Sequence, residues 1–382
     1  MKETKVPKGA KTEKSAKAEK TIKVKNAAGE VESVTPLPFE EKKVEKKVEK
    51  KIEKKIEKKV EKVEAAQTIE VARTAITPST LHFIEGNSIG ISMDHLKNDC
   101  IIPVFAKDNE LTISHAQFVD MVSQAAHHVF KGETISDPVL RASHIIKGRT
   151  PEALYKPADE LKDAEKTIYY ERCAFSIDIP TIYSDINGNK VYLSIVGVRA
   201  YNQMNLYSKK SLEVFKLAIG FKNQVCCNMC ISTDGFKGDF RVSSVQELYH
   251  KAAQLFMAYE AEKQLGMMRG LVDNTMTEHQ FCQVLGRMRL YQCLPTKQQR
   301  QLPELLLTDT QINAAARAYI NDDNFKAVRG RINMWQFYNL LTSANKCSYI
   351  DLFMNRAANA TELAVGINKA LQGDKEYRWF IS

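Results

Sequence analysis

Ile168-Tyr169-Tyr170-Glu171-Arg172-Cys173-Ala174-Phe175-Ser176-Ile177-Asp178-Ile179 leads through Asn187-Gly188 into Val191 to Ala200, and this stretch decides the fold. Tyr169, Cys173, Phe175, Ile177 and Ile179 alternate with Tyr170, Arg172, Ala174, Ser176 and Asp178. A period of two belongs to a strand, and Asn-Gly supplies the two positive φ angles of a tight turn, so the segment predicts a β-hairpin. A third strand follows at Val214 to Lys222, with Phe215, Leu217, Ile219 and Phe221 inward and Lys216, Ala218, Gly220 and Lys222 outward. Val225 to Ile231 and Phe240 to Val242 continue the pattern as a fourth and fifth strand.

Upstream of the hairpin, Ser114-His115-Ala116-Gln117 is a capping box that opens a helix, which Lys131-Gly132 ends. Beyond Ser243 the apolar period becomes 3.6. Ser244 caps a helix expected to reach about Leu265, and Thr277 caps one expected to reach Tyr291. Further helices are expected at Asp309 to Ile320, Met334 to Ser343, Ser348 to Arg356 and Thr361 to Leu371. The fold class is therefore α+β: an antiparallel sheet region followed by a helical C-terminal region. The expected divisions are 1–75 for a Lys/Glu-rich tail, 76–243 for the sheet domain and 244–382 for the helices.

Charge is concentrated at one end. The 382 residues carry a formal net charge of +9, yet residues 1–64 hold 20 lysines against 13 glutamates. Residues 1–25 cannot bury enough apolar surface to repay ordering, so a disordered tail is expected. From Glu41 to Lys62 a low-complexity repeat of E-K-K-V/I has period four, which drifts about 40° per step against an α-helix and forms no straight seam. Such a tail either solvates the chain or steers it toward a polyanion.

Eight cysteines are present, with no secretory h-region behind the N-terminal lysines and no apolar run of membrane-spanning length. Reduced thiols in a cytoplasmic protein without membrane contact are expected. Cys227-x-x-Cys230 has the spacing of half a zinc site, with His279, Cys282 or Cys293 as a conceivable second half. An apolar strand would point residues 227 and 230 to opposite faces, which favours plain core cysteines. No G-x-S-x-G, Walker A, G-x-G-x-x-G or H-E-x-x-H string occurs, so no catalytic residue, metal or cofactor is expected. Glu171 interrupts the apolar face of its strand, and Arg199 is its expected partner.

Several strings carry a resemblance. They are Ser143-His144-Ile145-Ile146-Lys147-Gly148-Arg149-Thr150-Pro151, Lys166-Thr167-Ile168-Tyr169-Tyr170-Glu171-Arg172, Gly197-Val198-Arg199-Ala200-Tyr201-Asn202 and Cys226-Cys227-Asn228-Met229-Cys230. With Tyr338-Asn339-Leu340-Leu341-Thr342 and the ending Glu376-Tyr377-Arg378-Trp379-Phe380, they resemble a Bacteroidetes domain-of-unknown-function family of conjugative transposons and other mobile elements. The similarity covers about residues 80–382. The Val225-Cys226 stretch and the Tyr338 helix are also distantly similar to an uncharacterised phage/plasmid-like family. The resemblance implies a mobile-element context and a shared fold, and no activity.

The constellation with chemical content is basic, aromatic and amide-rich. Arg199, Tyr201, Asn202, Asn205, Tyr207, Lys209 and Lys210 leave the second hairpin strand, Lys147 and Arg149 occupy what reads as a loop after Ile146, and Lys216 and Lys222 flank small outer residues. Cations neutralise phosphates, amides bond sugar and base edges, and tyrosines stack on unpaired bases. The expected function is that of an accessory protein binding single-stranded DNA or RNA without catalysis. The alternatives are an adaptor or inhibitor that binds a protein partner through its helices, and a zinc-dependent enzyme.

Overall fold

The computed structural model describes residues 23–25, 31–33, 82–100, 112–153, 155–203 and 212–382. Two compact units are present, Met1–Thr77 and Pro78–Ser382. In the first, β1 (Lys23–Lys25) pairs antiparallel with β2 (Val31–Ser33). The expected disorder and the Glu41 to Lys62 repeat otherwise lie outside the described residues.

The second unit is built on one antiparallel sheet. Its strands are β3 (Ile89–Ile91), β4 (Val139–Arg149), β5 (Lys166–Ile186), β6 (Asn189–Ala200), β7 (Glu213–Asn223), β8 (Met229–Cys230) and β9 (Phe236–Val242). They follow one another in that order from β3 to β8, and β9 shares the free edge of β7 with β8. Helix α1 (Met93–Asn98) follows β3, and α2 (His115–Val129) precedes β4, opened by the Ser114/Gln117 capping box. The β5–β6 turn places Asn187 at φ 53° and Gly188 at φ 76°, the left-handed pair that Asn-Gly favours.

The described residues then form α3 (Val245–Ala258), α4 (Ala261–Val272), α5 (Glu278–Cys293), the short α6 (Thr296–Gln299), α7 (Asp309–Asn321), α8 (Met334–Asn345) and α9 (Ile350–Leu371). A two-stranded ribbon, β10 (Thr275–Thr277) with β11 (Arg331–Asn333), ties the start of α5 to the start of α8. Two helix boundaries differ from expectation. The helix from Ser244 breaks at Tyr259, whose ring packs over Gly235 and whose hydroxyl donates to Gln264. The two segments expected after Ser348 are one helix, because Ala357-Ala358-Asn359-Ala360 contains no breaker.

Both faces of the sheet are covered. Phe118, Val119 and Val122 of α2 and Leu248 and Phe256 of α3 pack with Phe175, Ile177, Ile195, Phe215 and Leu217, and this core continues into Phe281, Trp335 and Leu363 of the later helices. On the opposite face Ala174, Val196, Val198 and Ala218 meet Phe353, Met354 and Ala357 of α9. Gly197 faces Phe175 across the β5–β6 ladder, and a Cβ there would lie 2.3 Å from that ring and 2.9 Å from Phe118.

Gly197→Val is expected to destabilise the protein by about 1–3 kcal/mol through overpacking. Gly286→Ala, in exposed helix with nothing within 4 Å of the new methyl, is expected to stabilise it by up to about 1 kcal/mol. Urea midpoints of the two variants against wild type check both signs.

Candidate functional site

Arg199, Lys216 and Lys222 are buried and do not line a surface. Arg199 is 1% exposed on the α2 side, where its guanidinium donates to Glu213 and to the Ile113 carbonyl. Glu213 also accepts the Ile113 N–H at 2.9 Å, so the three groups close a ring that fixes the chain entering α2. The guanidinium lies 4.6 Å and 4.5 Å from the Tyr201 and Phe215 ring centres, and Tyr201 is buried against His115. Glu171 is not the partner of Arg199; its near cation is Arg172, at 3.8 Å.

Lys216 and Lys222 lie on the other face, both 5% exposed. Lys216 donates to the Asp351 carbonyl and to Asn355 of α9, each at 2.8 Å. Lys222 meets Asp178 at 2.5 Å and Ser176 at 3.2 Å, and Ser194 and Tyr192 also donate to Asp178. The alternation of β7 is as its sequence reads, but helix α9 occupies the face that a polyphosphate would need. Gly220 serves close packing within the chain, since a Cβ there would lie 2.3 Å from the Cys230 carbonyl. Arg199, Tyr201, Lys216 and Lys222 are therefore structural groups rather than contacts for a nucleic acid. Asn202 is exposed on a short turn, Tyr201–Gln203. Asn205, Tyr207, Lys209 and Lys210 lie outside the described residues.

Lys147 and Arg149 are on strand β4 rather than in a loop, opposite Ile168 and Lys166 of β5. The strand was missed because His144, at φ 58°, interrupts its alternation. Lys147, Arg149 and Lys166 line a cleft of about 550 Å³ with Gly148, Leu161, Thr167, Ile168 and one acid, Asp99. Lys147 and Lys166 are exposed, and Arg149 is half-buried and donates to the Lys156 carbonyl. Lys166 reaches Asp163, itself exposed, at 2.7 Å. The Thr167 hydroxyl is buried without a hydrogen-bond partner among the described residues. Arg149 and Lys166 stand opposite one another across the ladder, where like charges repel, and Asp163 offsets the Lys166 charge. Lys166 and Thr167 carry no sequence signal of their own; only the strand register brings them to Lys147.

Beside the cleft, His95 Nδ1 lies 2.7 Å from Asp99 and Nε2 lies 3.1 Å from the Tyr170 hydroxyl, with the Cys100 sulfur at 3.8 Å. A carboxylate only accepts, so Nδ1–H donates to Asp99. Burial, with Asp99 second, pushes the Cys100 thiol up to about 11, which keeps it protonated and a poor nucleophile. The group ties α1 to β5.

Cys227 is not in a strand: it sits in the turn after β7 at φ 55°, while Cys230 pairs with Phe221 in β8 and burial pushes its thiol up to about 12. Among the described residues no three His, Cys, Asp or Glu side chains gather to hold a metal ion. Nor is any described helix long and apolar enough to cross a membrane.

An antiparallel sheet clad in helices, with a basic cleft where β4 and β5 meet, is the class of molecule these features define. The chain belongs to the family described as "Domain of unknown function, B. Theta Gene description (DUF3871)", which matches residues 62–381. No curated protein and no solved structure matches it.

Glu213→Ala leaves the Arg199 charge buried without its carboxylate and is expected to cost about 3–5 kcal/mol, read as a lower urea midpoint. A pH dependence also follows from His115. Burial, with the Arg199 charge second, holds its imidazole down from 6.5 to about 3. The unfolded chain takes up this proton below pH 6.5 and the folded chain does not, so the contribution is full above 6.5 and is lost as pH falls toward 3. Stability is expected to decline over that window by at most about 1.4 kcal/mol per unit from this group. Urea titrations at several pH values should show a shallower decline for His115→Phe.

Proposed function

We propose that this chain is a mobile-element accessory protein that binds single-stranded nucleic acid without catalysing a reaction, and that the cleft at the end of β4 and β5 holds the phosphates. The observation that carries this is the convergence of Lys147, Arg149 and Lys166 on one cleft beside the unpartnered Thr167 hydroxyl. Cations supply most of the affinity for a polyphosphate, and a hydroxyl bonds phosphate or sugar oxygens. The lysines of residues 1–25, nine against three glutamates, would add affinity that salt screens. The mobile-element context rests on the resemblance of the Ser143, Lys166, Gly197 and Tyr338 strings.

Fluorescence anisotropy with a labelled single-stranded oligonucleotide, read across salt concentrations, tests the assignment. Lys147→Ala and Lys166→Ala are each expected to weaken binding and to lower the slope of log affinity against log salt by about 0.7, the value for one single-strand phosphate contact. Deletion of residues 1–25 should weaken binding further and leave the effect of both substitutions in place. Unchanged affinity and slope in the double variant would refute the cleft. Absence of salt-dependent binding, with a protein partner held through residues 244–382, would put an adaptor in its place.

A further inference from the structure

The acid in the basic cleft is out of place in a site built for phosphates alone. Lys147 and Arg149 of β4 and Lys166 of β5 share the cleft wall with Asp99, whose carboxylate repels a polyanion. Asp99 follows α1 directly, and a parallel bridge between Cys100 and Ile168 holds this part of the chain against β5. Its side chain is 62% exposed, so the carboxylate is open to a ligand in the cleft. One oxygen, Oδ2, accepts from His95 Nδ1 at 2.7 Å, and His95 Nε2 lies 3.1 Å from the Tyr170 hydroxyl. The carboxylate is therefore held in one orientation by a side chain that is itself braced against β5. The other oxygen, Oδ1, has no hydrogen-bond partner among the described residues. Lys166 turns to Asp163, at 2.7 Å, rather than to Asp99.

We infer that the cleft selects single-stranded RNA over single-stranded DNA, Asp99 Oδ1 accepting a ribose 2′-hydroxyl while the three cations hold neighbouring phosphates. The inference rests on the reading of this cleft as a phosphate site. A carboxylate only accepts, so the ligand must bring the donor. Along the internal backbone of a polynucleotide the phosphate, ester and ring oxygens all accept, and the 2′-hydroxyl is the one group that donates. A deoxyribose strand thus offers Asp99 nothing to offset the repulsion between its carboxylate and the phosphates, and a ribose strand does. Because His95 orients the carboxylate before a ligand arrives, little side-chain freedom is lost on binding. Base amino and imino groups also donate, but a contact to them would make affinity follow the base and not the sugar.

Oligouridine, oligodeoxyuridine and 2′-fluoro-oligouridine of equal length carry one base and differ only at C2′, where fluorine keeps the ribose pucker and removes the donor. Their binding to the full chain is to be measured by fluorescence anisotropy at several salt concentrations. The RNA is expected to bind about tenfold more tightly than either of the others, the scale of one hydrogen bond to a charged group. The salt slope should be common to all three, since the phosphate contacts are shared. Asp99→Ala is expected to abolish the difference with opposite signs, weakening RNA binding and strengthening DNA binding as a repelling charge leaves the cleft. The comparison of the three strands on the unaltered protein stands whatever that substitution does to folding. Equal affinity for RNA and DNA overturns the inference and leaves the cleft as a phosphate site, as does an RNA preference that the 2′-fluoro strand shares or that Asp99→Ala retains. Salt-dependent binding to none of the three removes the phosphate site and the inference together.

Discussion

A sheet covered on both faces has nowhere to send a charge, so each cation on its central strands must be neutralised where it stands. That constraint organises this molecule. Arg199 on the α2 face is answered by Glu213 and the Ile113 carbonyl, and Lys222 on the α9 face by Asp178 with Ser176. Lys216 is held by the first turns of α9 itself. Replacing such pairs with apolar groups can be neutral for stability, whereas losing one partner is costly. The pairs link neighbouring elements: Asp178 joins β5 to β6 and β7, Glu213 joins β6 and β7 to the chain entering α2, and Lys216 joins β7 to α9.

The same constraint sorts what could be read in the residues. The hairpin was legible because alternation and Asn-Gly are local signals, and the inward set of β7 was legible for the same reason. Whether its outward set met water or another helix was not, since Lys216, Ala218, Gly220 and Lys222 read alike under solvent and under α9. Small residues that admit a ligand backbone also admit a helix. Strand β4 escaped notice because one left-handed residue, His144, interrupts its pattern. The break at Tyr259 escaped because a tertiary contact, the Tyr259 ring over Gly235, overrides helical periodicity. Of the basic constellation, Lys147 and Arg149 remain at the cleft, and their companions Lys166 and Thr167 could be found only through register.

Lys147, Arg149 and Lys166 gather at one end of the β4–β5 ladder, in a chain whose unit from Pro78 onward carries little net charge. The opposite end of the hairpin offers amides and one carboxylate without a cation. The two ends of β5 thus differ: Lys147, Arg149 and Lys166 line the cleft at one, and amides with the Asp322 carboxylate line a cavity at the other. Membership of the DUF3871 family covers both ends, since its match extends over residues 62–381.

The central claim is that Lys216 and Lys222 are interior groups while Lys147 and Lys166 belong to the surface. Brief acylation of the native protein with an amine-reactive ester, with site occupancies read by mass spectrometry, addresses it directly. The account predicts fast labelling of Lys147 and Lys166, with Lys216 and Lys222 protected until the chain is unfolded in urea. Labelling of Lys216 and Lys222 in the native protein at the rate of Lys147 would contradict it.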